Sequence, residues 1–422
     1  MSHRSHDAGV AGEWSRGWRT LVLATGGVAS GVSLLTIAAS NFVKPIEAAT
    51  GWSRAEIALG TTLGQFAMAL VMPLVGVLVD RYGIRRISVL GMIIYSALCL
   101  AMVAIPAHLA TYYVTLIAIL VVGGATSQIV FAPLVAKRFV RWRGTALGIV
   151  ASGGAILLTP LAPVLVALNN EVSWRAGFAL LAVVAAVVGL PCAVFASVVR
   201  PNSAVTGSKQ DAPVTGLTLA DAIRTAPYWM LLIATMLSMF PIGGFFGHMS
   251  ALLSDKGMSV SQVGALASLF FVLILAGRTG VGLLLDVLNP PLVVCLVMMG
   301  AAAGSLLLLA ANPSMLAYGI AVALIGCAMG AEADLQAFFV ARLFGLRAFA
   351  SIFGTLVMTS SVCLGLGGLV FGRLYDLSRS YDAALAPAAG AFVVAGMLFA
   401  TLRRNPFAQT SSTGLAQASV EA

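Results

Sequence analysis

"GVLVDRYGIRR", residues 76–86, is the stretch on which the reading of this chain turns. An apolar run ends in it at Asp80, Gly83 supplies a tight turn, and Arg81, Arg85 and Arg86 precede the next apolar run. The same outline returns 206 positions later as "GLLLDVLN" (282–289), with Asp286 in the place of Asp80 but no arginine. A second pair, "VAKRF" (135–139) and "VARLF" (340–344), repeats at an offset of 205. Two matches at almost one offset describe a duplicated unit.

Composition says what solvent the duplicated unit meets. Of the 422 residues, 60% are hydrophobic and 9% charged, more apolar surface than a water-soluble core buries. Twelve runs are long enough to cross a bilayer core of about 30 Å at about 1.5 Å per residue. They are 20–43, 55–79, 86–106, 110–134, 144–168, 175–199, 227–251, 260–285, 290–311, 315–341, 347–371 and 383–402. Most of the 24 lysines and arginines fall in the loops of one side, as in "AKRFVRWRG" (136–144), and the positive-inside rule makes that side cytoplasmic. Both termini are then expected in the cytoplasm of an inner, or plasma, membrane. The net charge of +9 forms no basic stripe, so nucleic acid is not an expected partner.

The chain divides as a tail (1–19), a six-helix bundle (20–199), a linker (200–226) rich in Pro, Gly, Ser and Thr, a second bundle (227–402) and a tail (403–422). The run from Leu21 is long enough to stay as the first helix and is not expected to be a cleaved signal. Cys99, Cys192, Cys295, Cys327 and Cys363 all fall in apolar runs without a CxxC spacing, and read as packing residues. The fold class is all-α membrane protein: twelve transmembrane helices in two pseudo-symmetric six-helix bundles. Parallel repeats of this kind house a ligand site near mid-membrane and work by rocking.

The loop of 76–86 resembles the signature between helices two and three of the major facilitator superfamily, with Gly76, Leu78, Asp80, Arg81, Gly83, Arg85 and Arg86 on the pattern. In that family such a cluster gates one state of the cycle, and Asp286 marks its weaker second copy. Positive-inside topology alone is the plainer reading of the arginines. "FVKPIEAATGWSRAEIALG" (42–60), "RGTALGI" (143–149), "SWRAGF" (173–178), "AGRTGVGLLLD" (276–286), "ARLFGLRAFASIFG" (341–354) and "GRLYDLSRSY" (372–381) look like its monocarboxylate-porter and oxalate/formate-antiporter branch. By that resemblance Arg278 sits where the branch binds the substrate carboxylate. The chain departs from the branch in three places: Ile274 replaces an aspartate, and "SLLTIAAS" (33–40) and "GTLVMTSSVCLG" (354–365) lack lysines. One membrane arginine and no membrane lysine suit a monoanion better than a dianion.

Charges inside the apolar runs carry the chemistry. Arg278 lies eight residues, about 12 Å, before Asp286. "MGAEADLQAF" (329–338) puts Glu332 and Asp334 at similar depth, where an ionised group is costly unless it is paired or faces water. Guanidinium holds a carboxylate bidentately, which makes Arg278 a candidate anion clamp; the alternative is an ion pair with Glu332 or Asp334 that merely joins helices. The two acids are about 200° apart around the helix and cannot form a dyad. Glu332 shares its face with Gln336 and is the expected cavity acid, whereas Asp334 shares its face with Ala337, Phe338 and Ala341. Either acid can take up a coupled proton if substrate competes for the arginine, and Glu332 is the expected one. A shift of 205 sets Ser127 opposite Glu332, so Ser127 and Gln128 are neutral candidates for the remaining substrate contacts, unless they bond only their own helix. GxxxG pairs at 27 and 31, 144 and 148, and 368 and 372 read as helix packing.

The leading expectation is a proton-coupled carrier of a small organic monocarboxylate, with substrate, protons and membrane lipid as partners and no cofactor or metal. A monomer is consistent with it. A drug/proton antiporter is the alternative, against which stands the central arginine. A non-transporting sensor and a membrane enzyme rank lower, since neither a soluble output domain nor a nucleophile or metal constellation is visible.

Overall fold

The computed structural model describes residues 2–196, 216–310 and 314–402. Most of the expected linker and the expected tail 403–422 lie outside the described residues. The chain is helical throughout them, apart from a single antiparallel pairing of Gly216 with Gly345. Eleven helices are long and apolar enough to cross a membrane, and a pair bent by 52° at residues 30–31 brings the number to twelve. Large apolar side chains such as Leu70, Leu74, Val114, Phe271 and Leu369 stand on the outside of these helices, as on surfaces that meet lipid.

Residues Met1–Val140, Ile149–Thr215 and Phe349–Thr355 form one compact unit; Arg141–Gly148, Gly216–Ala348 and Leu356–Ala422 form the other. Each unit therefore holds a short helical start contributed from across the linker.

In the first unit, α1 (Ser2–Ala29) is continuous with the stretch expected as a tail. It breaks at Ser30–Gly31 into α2 (Val32–Ala38) and α3 (Ser40–Thr50), so the expected helix 20–43 is three pieces. Next come α4 (Arg54–Tyr82), α5 (Ile84–Ala104) and α6 (Leu109–Gly123), then a tight turn over Gly124–Thr126 and α7 (Gln128–Arg138), which divides the expected helix 110–134. The Thr126 hydroxyl accepts from Val32 N (2.9 Å) and donates to Gly123 O (2.7 Å), so one side chain re-satisfies backbone freed at both breaks. The helix expected over 144–168 is divided at Ser152 into α8 (Arg143–Ala151) and α9 (Gly153–Ala167), and a wide turn at Leu168–Val172 follows. The unit ends with α10 (Trp174–Val184), another wide turn at Ala185–Gly189, and α11 (Leu190–Ala196).

The second unit begins with the short α12 (Leu219–Ile223). Five long uninterrupted helices follow: α13 (Ala226–Asp255), α14 (Val260–Val287), α15 (Pro290–Leu309), α16 (Met315–Leu343) and α17 (Phe349–Ser378). The last helix is α18 (Asp382–Thr401). Helix α16 packs on α13, α14 and α15, and α18 packs on α13 and α15. At Gly330 a Cβ would lie 1.9 Å from Ile274 O, so α14 and α16 touch backbone to backbone there. That contact sets the height of Arg278 against the acids of α16.

The repeat is written in the helix starts as well. Ser53 and Glu56 form a reciprocal capping box at the head of α4, and Ser259 and Gln262, 206 positions on, form the same box at the head of α14.

Candidate functional site

Two aspartates cap helix starts. In the first unit Asp80, at the end of α4, accepts from Ser351 N (2.7 Å), Ala350 N (3.3 Å) and the Ser351 hydroxyl at the head of α17. In the second, Asp286, at the end of α14, accepts from Gly144 N (2.7 Å), Thr145 N (2.7 Å) and the Thr145 hydroxyl (2.8 Å) at the head of α8. Gly144 and Thr145 stand 206 positions before Ala350 and Ser351, the offset of the aspartates themselves. A carboxylate at the first turn satisfies orphan N–H groups and meets the positive end of the helix dipole. Gly76 and its counterpart Gly282 let the capped helices come close: a Cβ would lie 2.2 Å from Ala350 O in one case and 2.7 Å from Gly144 O in the other. Gly83, at φ 86°, makes the turn that follows Asp80. Arg81, Arg85 and Arg86 are exposed; Arg81 lies over the Tyr82 ring at 5.4 Å. The aspartates are thus held by backbone amides, which the expectation of a charge cluster did not include.

The membrane charges gather in the second unit. Arg278 Nε lies 3.7 Å from Asp334 Oδ2 and 3.5 Å from Gly330 O. The Arg278 side chain is 26% exposed and that of Asp334 is 2% exposed. Glu332 takes a different partner: its Oε1 accepts from Ser238 on α13 at 2.9 Å, and no cation pairs with it among the described residues. Gln336, one turn on, donates to Ser360 on α17 at 2.7 Å. Glu332 and Gln336 are fully buried, and Glu332 Oε2, Gln336 Oε1 and Thr235 Oγ1 have no hydrogen-bond partner among the described residues. Gly148, in the helix start that Asp286 caps, covers the ion pair: a Cβ there would lie 2.9 Å from Arg278 O and 3.6 Å from Asp334 Oδ2.

Ser127 and Gln128 lie in the first unit at the break between α6 and α7, where Ser127 is extended and its hydroxyl donates to Gly124 O at 2.7 Å. Their counterparts in the second unit lie inside a continuous helix. The pairing of residues 127 and 332 by sequence therefore joins an unwound segment to a wound one. No group of three His, Cys, Asp or Glu side chains that would hold a metal occurs among the described residues.

Sequence reasoning missed Ser238, Thr235 and Ser360, and had no signal for them, since serine and threonine in apolar helices usually bond their own backbone. It also missed the capped helix starts, although "RGTALG" (143–148) and "FASIFG" (349–354) align at the offset already found for the aspartates.

This arrangement of capped ends and buried charge on long apolar helices is that of a membrane carrier. Residues 21–368 match the family model described as the Major Facilitator Superfamily, and the chain belongs to that superfamily. It is a multi-pass membrane protein. Among solved structures, the E. coli fucose:proton symporter superposes with a TM-score of 0.69 at 13% identity, covering 91% of this chain and 98% of that one. A bacterial homologue of the iron transporter ferroportin, in an outward-facing state, gives 0.68 at 14% identity, covering 91% and 98%. The human organic anion transporter MFSD10 gives 0.66 at 16% identity, covering 91% and 99%. At these identities the likeness is one of fold. No curated protein sequence matches the chain.

Proposed function

We propose that this superfamily member is a secondary active carrier that moves a small organic monocarboxylate across the inner membrane by alternating access, coupled to protons, with both termini cytoplasmic. Within the superfamily the reading places it in the monocarboxylate-porter and oxalate/formate-antiporter branch. The observation that carries the proposal is the Arg278–Asp334 pair. Its 3.7 Å separation is longer than the 2.7–2.9 Å typical of a full charge-assisted hydrogen bond, and the guanidinium is partly exposed. A substrate carboxylate that offers two oxygens to Arg278 displaces Asp334 from it. Displaced from Arg278, Asp334 is the acid to which this reading assigns the coupled proton. Arginine suits this role because it stays charged throughout the cycle. Glu332, hydrogen-bonded to Ser238, forms part of the same coupling path. Ser127 and Gln128, at the break between α6 and α7, remain the neutral candidates for substrate contact in the first unit. Asp80 and Asp286 gate the cycle by releasing and recapturing their helix starts.

Uptake of radiolabelled short-chain monocarboxylates into proteoliposomes, with and without an inward proton gradient, tests the proposal. Arg278→Ala is expected to abolish saturable uptake, and Arg278→Lys to raise KM at least tenfold, since an ammonium cannot hold two oxygens in plane. Asp334→Asn is expected to retain exchange and lose gradient-driven accumulation. Full uptake in Arg278→Ala refutes the clamp; gradient-driven accumulation that survives Asp334→Asn but not Glu332→Gln moves the coupling role to Glu332.

A further inference from the structure

The end of the second unit remote from Asp286 holds an ionisable group that the carrier reading does not use. His248 lies in α13, seven residues before its last residue, Asp255. A histidine inside an apolar helix is a functional candidate by default. Both ring nitrogens are engaged: Nε2 with Gly368 O on α17 at 2.9 Å and Nδ1 with the Tyr381 hydroxyl, just before α18, at 3.0 Å. Its ring also lies over Gly372, where a Cβ would be 3.4 Å from Cε1.

Chemistry assigns the hydrogens. A carbonyl only accepts, so Nε2 carries the proton; in the neutral ring Nδ1 is then the acceptor and Tyr381 the donor. Burial, followed by the acids Asp255 and Asp376, pushes the Tyr381 hydroxyl above its ordinary range, so it stays a donor. A second proton on the ring turns Nδ1 into a donor, and the Tyr381 hydrogen must leave His248 for another acceptor. Tyr381 is buried, so that hydrogen cannot be left to water.

The groups around this point define what the reversal disturbs. Helix α13 contributes Asp255 and its cap Lys256; α17 contributes Arg373, Tyr375, Asp376 and Arg379; α18 contributes Asp382, which pairs with Lys256 at 2.7 Å. Asp255 pushes the Tyr375 hydroxyl beside it above its ordinary range, and the Tyr375 ring stacks on Tyr381 with centroids 4.6 Å apart. Helices α14 and α16, also packed on α13, carry no charged residue before Arg278 and Glu332 respectively. One helical turn deeper, α13 and α17 cross at near contact, with a Cβ on Gly243 placed 1.9 Å from Leu364 O and one on Gly367 placed 1.8 Å from Phe240 O. Above a tight crossing, three helix ends are thus tied together, and His248 is the tie that joins α13 to Gly368 of α17 and to Tyr381 before α18.

We infer that His248 is a proton-binding site of the second unit, separate from the acids of α16, and that protonation there reverses the Tyr381 hydrogen bond and loosens this helix-end latch. On the orientation proposed above, the site answers to pH outside the cell. The inference needs no substrate, so it stands or falls apart from the carboxylate reading.

Four histidines make the test direct. The full chain, labelled with 15N only in histidine and reconstituted in lipid, is followed by NMR from pH 8 to pH 5, with His248→Gln to assign the signal. The expected result is an Nε2–H tautomer at pH 8 that converts to imidazolium as pH falls, and that converts at higher pH in Tyr381→Phe, where the donor favouring the neutral ring is gone. In parallel, amide exchange over residues 373–382, corrected for intrinsic pH dependence, is expected to rise about fivefold at pH 5 in the wild type. It is expected to stay level in His248→Gln, whose amide offers a donor to Gly368 and an acceptor to Tyr381 at every pH. A ring that stays neutral to pH 5, an Nδ1–H tautomer at pH 8, or the same exchange rise in His248→Gln overturns the inference.

Discussion

Replacing Asp286 by asparagine tests whether one carboxylate holds the head of α8. The native group accepts two backbone N–H bonds at 2.7 Å and one hydroxyl bond at 2.8 Å. Asparagine keeps one acceptor oxygen and turns an N–H donor toward a backbone that offers only donors. Hydrogen bonds to a charged group contribute about 1.5–3 kcal/mol each, and a negative charge at a helix N-terminus adds about 0.3–1 kcal/mol. Losing one such bond and the charge removes about 2–4 kcal/mol from the closed helix start, or roughly 30- to 1,000-fold in its opening equilibrium at about 1.4 kcal/mol per tenfold. Hydrogen exchange of the peptide covering residues 143–149 reads that equilibrium directly. Thr145→Val, which removes only the hydroxyl, is expected to give about fivefold, in line with about 1 kcal/mol for one net bond. Asp80→Asn is expected to act on residues 349–352 as Asp286→Asn acts on 143–149. Exchange within twofold of wild type in Asp286→Asn would refute the view that the carboxylate holds this helix start.

Gly330→Ala places a Cβ 1.9 Å from Ile274 O, a backbone atom that cannot move aside alone, so α14 and α16 must separate; a loss of about 1–3 kcal/mol is expected, read as a lower thermal unfolding midpoint in detergent. Ser238→Ala removes the one hydroxyl that bonds Glu332 and is expected to cost about 1–3 kcal/mol, whereas the same change made in Glu332→Gln costs less; the double-mutant cycle measures the difference. At the short α12, the Thr218 hydroxyl, then Arg224 and Arg347, hold Asp221 below the usual carboxylate range. Its folded value is depressed, so its contribution is present above the ordinary carboxylate range and lost as pH falls through the folded value. Amide exchange at residues 219–224 is expected to rise in that acid window, and to lose the dependence in Thr218→Ala.

Helix class, span count and the duplicated aspartates were legible because apolar length and repeat spacing are properties of sequence itself. The breaks at residues 30–31 and 124–126 were not, because apolar runs carry on through them and what joins them is the hydroxyl of Thr126, reaching Val32 N from 94 positions away, with Tyr95 and Ser127 hydroxyls bonding the carbonyls beside it. At the charge site the depth of Arg278 and the angle between Glu332 and Asp334 were readable. The choice of partner was not: the apolar neighbours of Asp334 on α16 said nothing of the arginine on α14, and the backbone contact at Gly330 decides which carboxylate meets it. The capped helix starts were readable in principle, since both ends of each contact obey one offset, but amides have no sequence signature of their own.

Gly148 gives the molecule an economy of parts. The residue that lies on the Arg278 backbone beside Asp334 is four positions from the residue whose amide Asp286 holds, a rigid arm of about 6 Å at about 1.5 Å per residue. A displacement at one end of this arm moves the other, so on the proposed function the cap at Asp286 and the cover over the charge pair act together. A side chain at position 148 meets the Arg278 backbone at one end of this arm, so on the proposed function Gly148→Ala is expected to raise KM and lower turnover together.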